Sequence, residues 1–284
     1  MSPATVIVNV DEGVMHTVGS ISEFLEAYAP PSLAEDWDNV GLLVGDPGQT
    51  VQRVMTCLTI TPESADEAIA DGVNMIVTHH PLPFRPLRRL TTKSHEGRLL
   101  WQLMSRGVAI YSPHTAFDSC RRGINRQLAE GIALRDVHPL VPVENESNNG
   151  ADVDVTMGGG RHGTLDAPLE LAALAGRLKA FLAVDRVQLV GEPTRALRRV
   201  AVACGSAGTF LQPAIAAGCE ALVTGEVSFH TCLEAQAAGV ALILLGHYAS
   251  ERFAVAGLAD VLAEAFPELS VWASRHEQNP LQWC

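Results

Sequence analysis

Two stretches of the sequence, 53–80 and 199–226, repeat one pattern of apolar runs and glycines. In each, an Arg-Val pair opens an apolar run, a glycine follows 19 residues after the arginine, and a threonine follows six residues after that glycine. Strand-like runs that alternate with helical segments are typical of α/β folds. The repeat predicts two related α/β units with central mixed sheets flanked by helices, an internal duplication about a pseudo-two-fold axis.

The repeat also divides the chain, whose 284 residues are enough for one or two domains. We predict an N-terminal extension over 1–17, a first α/β unit over 18–135 and a second over 136–284. The loops that follow equivalent strands would then meet in a cleft shared by the two units. In α/β sheets, ligands bind beyond the carboxyl ends of the strands.

Each unit has a histidine that is followed four residues later by an acid. The pairs are His114 with Asp118 and His247 with Glu251, and a glycine-led apolar run precedes each of them. Residues i and i+4 lie on one face of a helix. The sequence therefore predicts an imidazole and a carboxylate side by side, beyond a strand end, in both units.

Two adjacent histidines, His79 and His80, follow another apolar run in the motif Thr-His-His-Pro. The proline disfavours helix at His80, so both imidazoles are expected in a turn from which they can reach one cavity. Such a pair can provide one ligand to each of two neighbouring metal ions. Two partly exposed loop histidines are the alternative interpretation. In the second copy of the repeat, Glu226 takes the place of His80.

The predicted cleft gathers eight side chains that bind metals or titrate. They are His79, His80, His114, Asp118, Glu226, His230, His247 and Glu251. So many imidazoles and carboxylates on a duplicated framework favour a metal centre over buried core histidines. Mixed histidine and carboxylate ligation suits Zn, Fe, Mn, Co or Ni, and ligand type alone does not choose among these metals.

Two other segments bear on the cleft. In the Trp-Asp-Asn motif at 37–39, we predict that Trp37 is a buried core anchor, while Asp38 and Asn39 cap a turn or line the site. A cluster of basic residues from Arg85 to Arg98 is either a solvated face or a surface that attracts phosphate groups.

Charge and composition exclude several classes of protein. The net charge is −12, without the basic patch of a nucleic-acid-binding protein. No apolar run reaches the roughly 18 residues of a membrane span, and the N-terminus does not read as a secretory signal. The six cysteines form no Cys-x-x-Cys pair, which favours reduced thiols in a cytoplasmic protein.

Five motifs together resemble the GTP cyclohydrolase 1 type 2 homologue family over about residues 18 to 275. They are Trp37-Asp38-Asn39-Val40-Gly41-Leu42, Thr78-His79-His80-Pro81, His114-Thr115-x-x-Asp118, Thr224-Gly225-Glu226 and Gly246-His247-x-x-Ser250-Glu251. The resemblance implies a two-domain α/β protein that forms a ring-shaped homohexamer, with dinuclear metal centres facing an internal cavity. It implies five ligands for two divalent ions: His79, His80, Asp118, His247 and the bridging Glu251.

The resemblance also implies a function. His114 and Glu226 match positions that face the substrate or orient ligands, so they are the candidate catalytic residues, as general acid or base. The family name implies a metal-dependent hydrolase that opens the purine ring of GTP, and a phosphoester or another nucleotide-like, phosphorylated small molecule suits the same metals. The alternative is a non-catalytic metal-binding scaffold or a metal-responsive interaction protein, since the family includes relatives of a factor that interacts with a transcription adaptor.

Overall fold

The structure is a computed structural model that describes residues 15–143 and 156–282. Of the predicted N-terminal extension, residues 1–14 lie outside this range. The α-helices in the described residues are α1 (Val18–Tyr28), α2 (Pro62–Ala70), α3 (His95–Met104), α4 (His114–Ser119), α5 (Ile124–Gly131), α6 (Leu171–Leu182), α7 (Leu211–Ala216), α8 (Phe229–Ala237) and α9 (His247–Ala265).

The strands form two larger sheets and one short ribbon. They are β1 (Gly41–Val44), β2 (Arg53–Cys57), β3 (Met75–Thr78), β4 (Ala109–Ser112), β5 (Arg135–His138), β6 (Val141–Pro142), β7 (Gly158–Gly159), β8 (Arg161–Glu170), β9 (Gln188–Val190), β10 (Ala196–Ser206), β11 (Ala221–Glu226), β12 (Ala241–Leu244) and β13 (Ser270–Ala273).

Both larger sheets are mixed. The first has the order β1-β4-β3-β2-β13, in which β1 is antiparallel to β4 and the other neighbours are parallel. The second has the order β5-β8-β10-β11-β12-β9, with β10, β11 and β12 parallel. The parallel strands β2, β3 and β4 thus recur as β10, β11 and β12. This arrangement, with helices against the sheets, confirms the predicted fold class.

Helix α9 lies between the two sheets. Its Ala254 and Leu258 belong to the apolar core that includes Val54 of the first sheet, and the helix also contacts β10 and β11 of the second. The Thr56 hydroxyl donates to the carbonyl of Val255 at 2.9 Å. Within residues 15–143 and 156–282, no helix, α9 included, is both long and apolar enough to cross a membrane.

The chain returns to the first sheet at its end. Strand β13 pairs in parallel with β2, with Ser270 opposite Arg53 and Ala273 opposite Thr56. A strand from the predicted second unit therefore completes the sheet of the first unit. The boundary at residue 135 stays a prediction, and β5, which begins there, belongs to the second sheet.

A buried carboxylate fixes the segment that follows β13. Glu67 of α2 is 3% exposed. It accepts hydrogen bonds from the Ser274 hydroxyl at 2.7 Å and from the backbone N–H groups of Arg275 and His276. Burial alone would raise the pKa of Glu67, but these hydrogen bonds favour the ionised form and bring the pKa down to about 2.

The Glu67 network predicts a pH-dependent contribution to stability. Because the pKa is depressed on folding, the contribution is complete above the ordinary pKa of 4.5 and is lost as the pH falls from there to about 2. We expect Glu67→Gln to lower the free energy of unfolding by about 2 kcal/mol at pH 7. Urea unfolding at pH 7 and pH 3, with exposed Glu264→Gln as control, measures it. A difference from wild type as large at pH 3 as at pH 7 would contradict the ionised carboxylate.

Candidate metal centre

The adjacent histidines His79 and His80 directly follow the end of β3. The backbone N–H groups of His79 and His80 donate to the carbonyls of Cys57 and Leu58, at 2.9 and 2.8 Å. The Ser112 hydroxyl, at the end of the neighbouring strand, donates to the carbonyl of His79 at 2.7 Å. The two imidazole centroids are 5.2 Å apart. The turn thus brings the two rings together, as predicted, but of the pair His80 lines the cleft described below and His79 is buried behind it.

His79 is buried without a hydrogen-bond partner for its ring. Among the described residues, neither ring nitrogen has a partner, and the residue is 3% exposed. Its Nε2 lies 3.7 Å from Asp118 Oδ1 and 3.9 Å from Glu251 Oε2. Burial lowers the pKa of His79 well below the ordinary value of 6.5. An unsatisfied polar group of this kind is costly in a folded protein, and a neutral imidazole facing two carboxylates fits a cation.

His79, Asp118 and Glu251 form a first set of possible metal donors. A second set lies beside it. His80 Nε2 and His247 Nε2 are each 3.1 Å from Glu251 Oε2, and 3.3 Å from each other. The ligand atoms of these three residues lie within 4.8 Å of one another, close enough to hold one metal ion. His247 and Glu251 occupy the first turns of α9, four residues apart, so the predicted helical spacing is confirmed.

Glu251 carries the charge at the centre of both sets. It is 3% exposed. Burial disfavours the ionised form, but hydrogen bonds from His247 and His80 hold the pKa of Glu251 well below its usual range. The hydrogen bond to Glu251 raises the pKa of His247 to about 9, against the effect of burial. The same oxygen atom of Glu251 therefore faces three imidazoles.

Helix α4 contributes His114 and Asp118. His114 begins the helix with a φ of +24°, an uncommon conformation for a non-glycine residue and one of the kinds of backbone strain that cluster at functional sites. The ligand atoms of His114, His79 and His80 also lie within 4.8 Å of one another. Burial, together with the charge of Glu251, raises the pKa of Asp118 well above its usual value. The structure thus also makes His114 a possible ligand.

Asp38 orients His114. Its carboxylate accepts from His114 Nδ1 at 2.7 Å and from the Thr115 backbone and hydroxyl at 3.1 and 2.5 Å. Although burial raises the pKa of Asp38, the hydrogen bonds from His114 and Thr115 lower it to about 2. Because a carboxylate accepts, Nδ1 of His114 bears the proton and Nε2 points a lone pair elsewhere. Asp38 Oδ1 also accepts from the backbone N–H of Asn39 at 2.7 Å, so the carboxylate caps its own turn, and it meets the cleft through His114 rather than by lining it.

Glu226 stands at the edge of the cluster. It is exposed, and its Oε1 lies 3.0 Å from His247 Nδ1 and 2.5 Å from the Ser206 hydroxyl. The hydrogen bonds from Ser206 and His247 lower the pKa of Glu226. The carboxylate is therefore placed to fix the ring of His247, with Nε2 turned towards Glu251.

Two further partners of the ligands are not among the residues predicted from the sequence. The Cys204 thiol donates to Asp118 Oδ1 at 3.2 Å, and the Thr59 hydroxyl lies 2.6 Å from His80 Nδ1. Thr59 lies two residues beyond the end of β2, a position that could have identified it. For Cys204, which ends an apolar run of the second sheet, the sequence offers no such signal.

A cleft of about 690 Å³ adjoins the cluster. Its walls include His80, His114, Asp118, Cys204, His247 and Glu251, with Trp37, Phe84 and Phe210. The prediction that Trp37 is a core anchor is wrong, since its side chain is 61% exposed and its ring meets those of Phe84 and His114 edge to face, at 6.0 Å each. His230 was expected in the cleft, but it is exposed on α8, against Phe229, and is not among the lining residues.

The charges of the cluster predict how metal binding depends on pH. A ligand must lose its proton before it binds a cation. With the pKa of His247 at about 9, we expect the affinity to fall from pH 9 downwards, by at least about tenfold per unit, so that it is at least about 100-fold weaker at pH 6 than at pH 8. Zn²⁺ titrations of metal-free protein at these pH values measure it. A plateau down to pH 6.5 would show an unperturbed histidine instead.

Comparison with known proteins places the chain in a family. The family model for Duf34/NIF3 (NGG1p interacting factor 3) matches residues 16–280. The GTP cyclohydrolase 1 type 2 homolog of Clostridium acetobutylicum is 30% identical over 254 residues, which are 89% of this chain and 92% of that protein. The NIF3 homolog of Schizosaccharomyces pombe is 34% identical over 239 residues, 82% of this chain and 84% of that protein.

A solved structure agrees at the level of the fold. The Bacillus cereus protein related to NIF3 superposes with a TM-score of 0.86 at 21% identity, covering 95% of this chain and all of that one. Since the sequence match spans nearly the whole described region, from α1 to beyond β13, it includes every residue of the cluster. The chain belongs to the Duf34/NIF3 family.

Proposed function

We propose that the protein is a metal-dependent hydrolase with two divalent ions, acting on a nucleotide-like or phosphorylated small molecule. One observation carries the proposal: donors from both sheets converge on a single buried oxygen, Glu251 Oε2, beside an open cleft. A closed structural site would surround its ion with protein ligands, whereas this set leaves room for water and substrate.

The distances suggest how the donors divide. His79 and Asp118 would hold one ion and His80 and His247 the other, with Glu251 shared between them. Imidazole and carboxylate donors fit Zn, Fe, Mn, Co or Ni. When bound, a pair of such ions polarises a substrate oxygen and makes a water molecule more acidic. His114 remains outside this division, with Asp38 at its Nδ1 and with Nε2 able to take up a proton.

The cleft supports the class of substrate. Trp37 and Phe84 present aromatic surfaces at its mouth, which suit a flat unsaturated ring. Arg85, next along an exposed loop, lies with its guanidinium 6.0 Å from the ring centre of Phe84, and arginine suits phosphate. The name of the C. acetobutylicum relative refers to GTP, which combines a flat ring with phosphates.

The resemblance to the GTP cyclohydrolase 1 type 2 homologue family also implies that the protein forms a homo-oligomer and lies in the cytoplasm. Helices α3 and α8, which precede β4 and β12 in the two halves of the repeat, expose large apolar side chains: Trp101, Met104, Phe229 and Leu233. Burial of these side chains against further copies supports a homo-oligomer, for which the resemblance gives a hexamer. The five cysteines in the described residues are free thiols, which suits the cytoplasm.

Turnover by metal-loaded protein tests the proposal. We expect hydrolysis of at least one member of a panel containing GTP, phosphomonoesters, phosphodiesters and cyclic amides, abolished by His80→Ala and unchanged by His230→Ala, a histidine outside the cleft. Colorimetric phosphate release and chromatography of products measure it. Full metal loading without turnover of any panel member would favour the alternative, a metal-binding scaffold or a metal-responsive interaction protein.

A further inference from the structure

The imidazole of His80 is held at both nitrogens. Its Nε2 faces Glu251 and His247, and its Nδ1 lies 2.6 Å from the half-buried Thr59 hydroxyl. A nitrogen that binds a cation carries no proton, so Nδ1 must then bear it and donate to Thr59 Oγ1. A hydrogen bond of this kind fixes both the tautomer and the orientation of a ligand ring.

Thr59 is itself fixed by a residue from the end of the described chain. Glu277 is 7% exposed. Its carboxylate accepts from the backbone N–H of Leu58 at 2.9 Å and from that of Thr59 at 2.6 Å. The carbonyl of Leu58 in turn accepts from the backbone N–H of His80. Glu277 thus fixes the backbone of residues 58–59, which orients His80.

The segment that contains Ser274 and Glu277 also contacts helix α9, which carries His247 and Glu251. On α9, Arg252 forms an ion pair with Glu277 at 2.9 Å and donates through Nη2 to the carbonyl of Ser274 at 2.7 Å. The Tyr248 hydroxyl donates to the Glu277 carbonyl at 3.2 Å. Tyr248 and Arg252 each directly follow a predicted ligand, His247 and Glu251.

From this juxtaposition we propose that the segment 274–277 acts as a positioning element for the metal centre. Glu277 and Thr59 set the ring of His80 relative to His247 and Glu251, so they act on the ion held by those residues. The ring of His79 has no such support among the described residues. We therefore expect that an ion held by His79 and Asp118 would not respond to the loss of the Thr59 hydroxyl. This inference rests on the metal sites of the proposed function.

Substitution of Thr59 tests the hydroxyl directly. Thr59→Val keeps the shape of the side chain and removes the hydrogen bond, whereas Thr59→Ser retains it. We expect Thr59→Val to weaken one of two Zn²⁺ sites by about 10- to 100-fold and to leave the other unchanged, with Thr59→Ser close to wild type. Calorimetric titration with Zn²⁺ measures both sites. In ¹⁵N-histidine spectra of the Zn²⁺-loaded protein, the Nδ1–H signal of His80 should be slow to exchange in wild type and Thr59→Ser alone.

A matched pair of buried carboxylates separates positioning from general stability. Glu67 and Glu277 both hold the segment after β13, yet Glu277 alone contacts Leu58 and Thr59. We expect Glu277→Gln and Glu67→Gln both to lower the melting temperature of metal-free protein, and Glu277→Gln to weaken Zn²⁺ binding more than Glu67→Gln does. Equal effects of the two variants on Zn²⁺ affinity would overturn the proposal, as would wild-type affinities in Thr59→Val or weakened binding in Thr59→Ser.

Neither readout requires turnover. Protein that binds two ions and hydrolyses nothing would overturn the hydrolase function, while the affinities of the Thr59 variants would still decide the positioning role. Wild-type protein that binds no Zn²⁺ would overturn both proposals.

Discussion

Glu251→Gln is expected to empty the whole metal centre rather than half of it. The Oε2 atom of Glu251 is 3.1 Å from the Nε2 atoms of His80 and His247 and 3.9 Å from that of His79. A neutral amide offers neither the charge nor a second equivalent oxygen. Since even outer partners of metal ligands are worth 10- to 100-fold in affinity, we expect each ion to bind at least about 100-fold more weakly.

Elemental analysis after gel filtration and calorimetric titration measure the two occupancies. The matched control is Glu264→Gln, which makes the same change on the exposed surface of the same helix. The loss of one ion with retention of the other would assign Glu251 to a single site. Unchanged occupancy would remove it from the ligand set.

His114→Asn is expected to abolish most turnover while the protein keeps its metal. We choose asparagine because it tolerates a positive φ better than most other residues, and His114 has a φ of +24°. As a proton carrier in the reaction, His114 should be worth about 10²- to 10⁴-fold in turnover number. Its ligand atom also lies within reach of those of His79 and His80, so metal content must be measured alongside the rate.

The two roles of His114 give different results. A fall in turnover with two ions still bound supports the acid–base role, and the loss of one ion makes His114 a ligand. Asp38→Asn is the companion variant, because it keeps the shape of the partner at Nδ1 and removes its charge. We expect a smaller fall in turnover for Asp38→Asn than for His114→Asn. Equal or larger loss in Asp38→Asn would mean that the carboxylate itself takes part.

The duplication made much of the site predictable. His114 with Asp118, and His247 with Glu251, each have the spacing of one helical turn after a strand, and periodicity of this kind is written in local sequence. The same holds for the adjacent histidines at the end of β3. Contacts between distant parts of the chain were harder to predict than the residues themselves. Asp38 meets His114 across 76 positions and Glu277 meets Thr59 across 218, separations at which no local pattern operates.

The errors have physical reasons as well. The prediction of a buried Trp37 follows from the high average burial of tryptophan, but its ring is exposed and lines the cleft. His230 is predicted in the cleft together with the other histidines, whereas it lies exposed on helix α8. In the fold, the pairing of β13 with β2 was not predicted, since a strand four residues long gives no sign of which distant edge it joins.

That pairing limits how the molecule can move. Many enzymes built from two lobes admit their reactants by swinging the lobes apart on a hinge. Here β13, from Ser270 to Ala273, is paired in parallel with β2, and α9 packs between the two sheets. Separation of the two sheets would break the hydrogen bonds between β13 and β2. We therefore expect reactants to enter and leave through the opening of the cleft beside Trp37 and Phe84, and the arrangement of the metal ligands to persist throughout a reaction cycle.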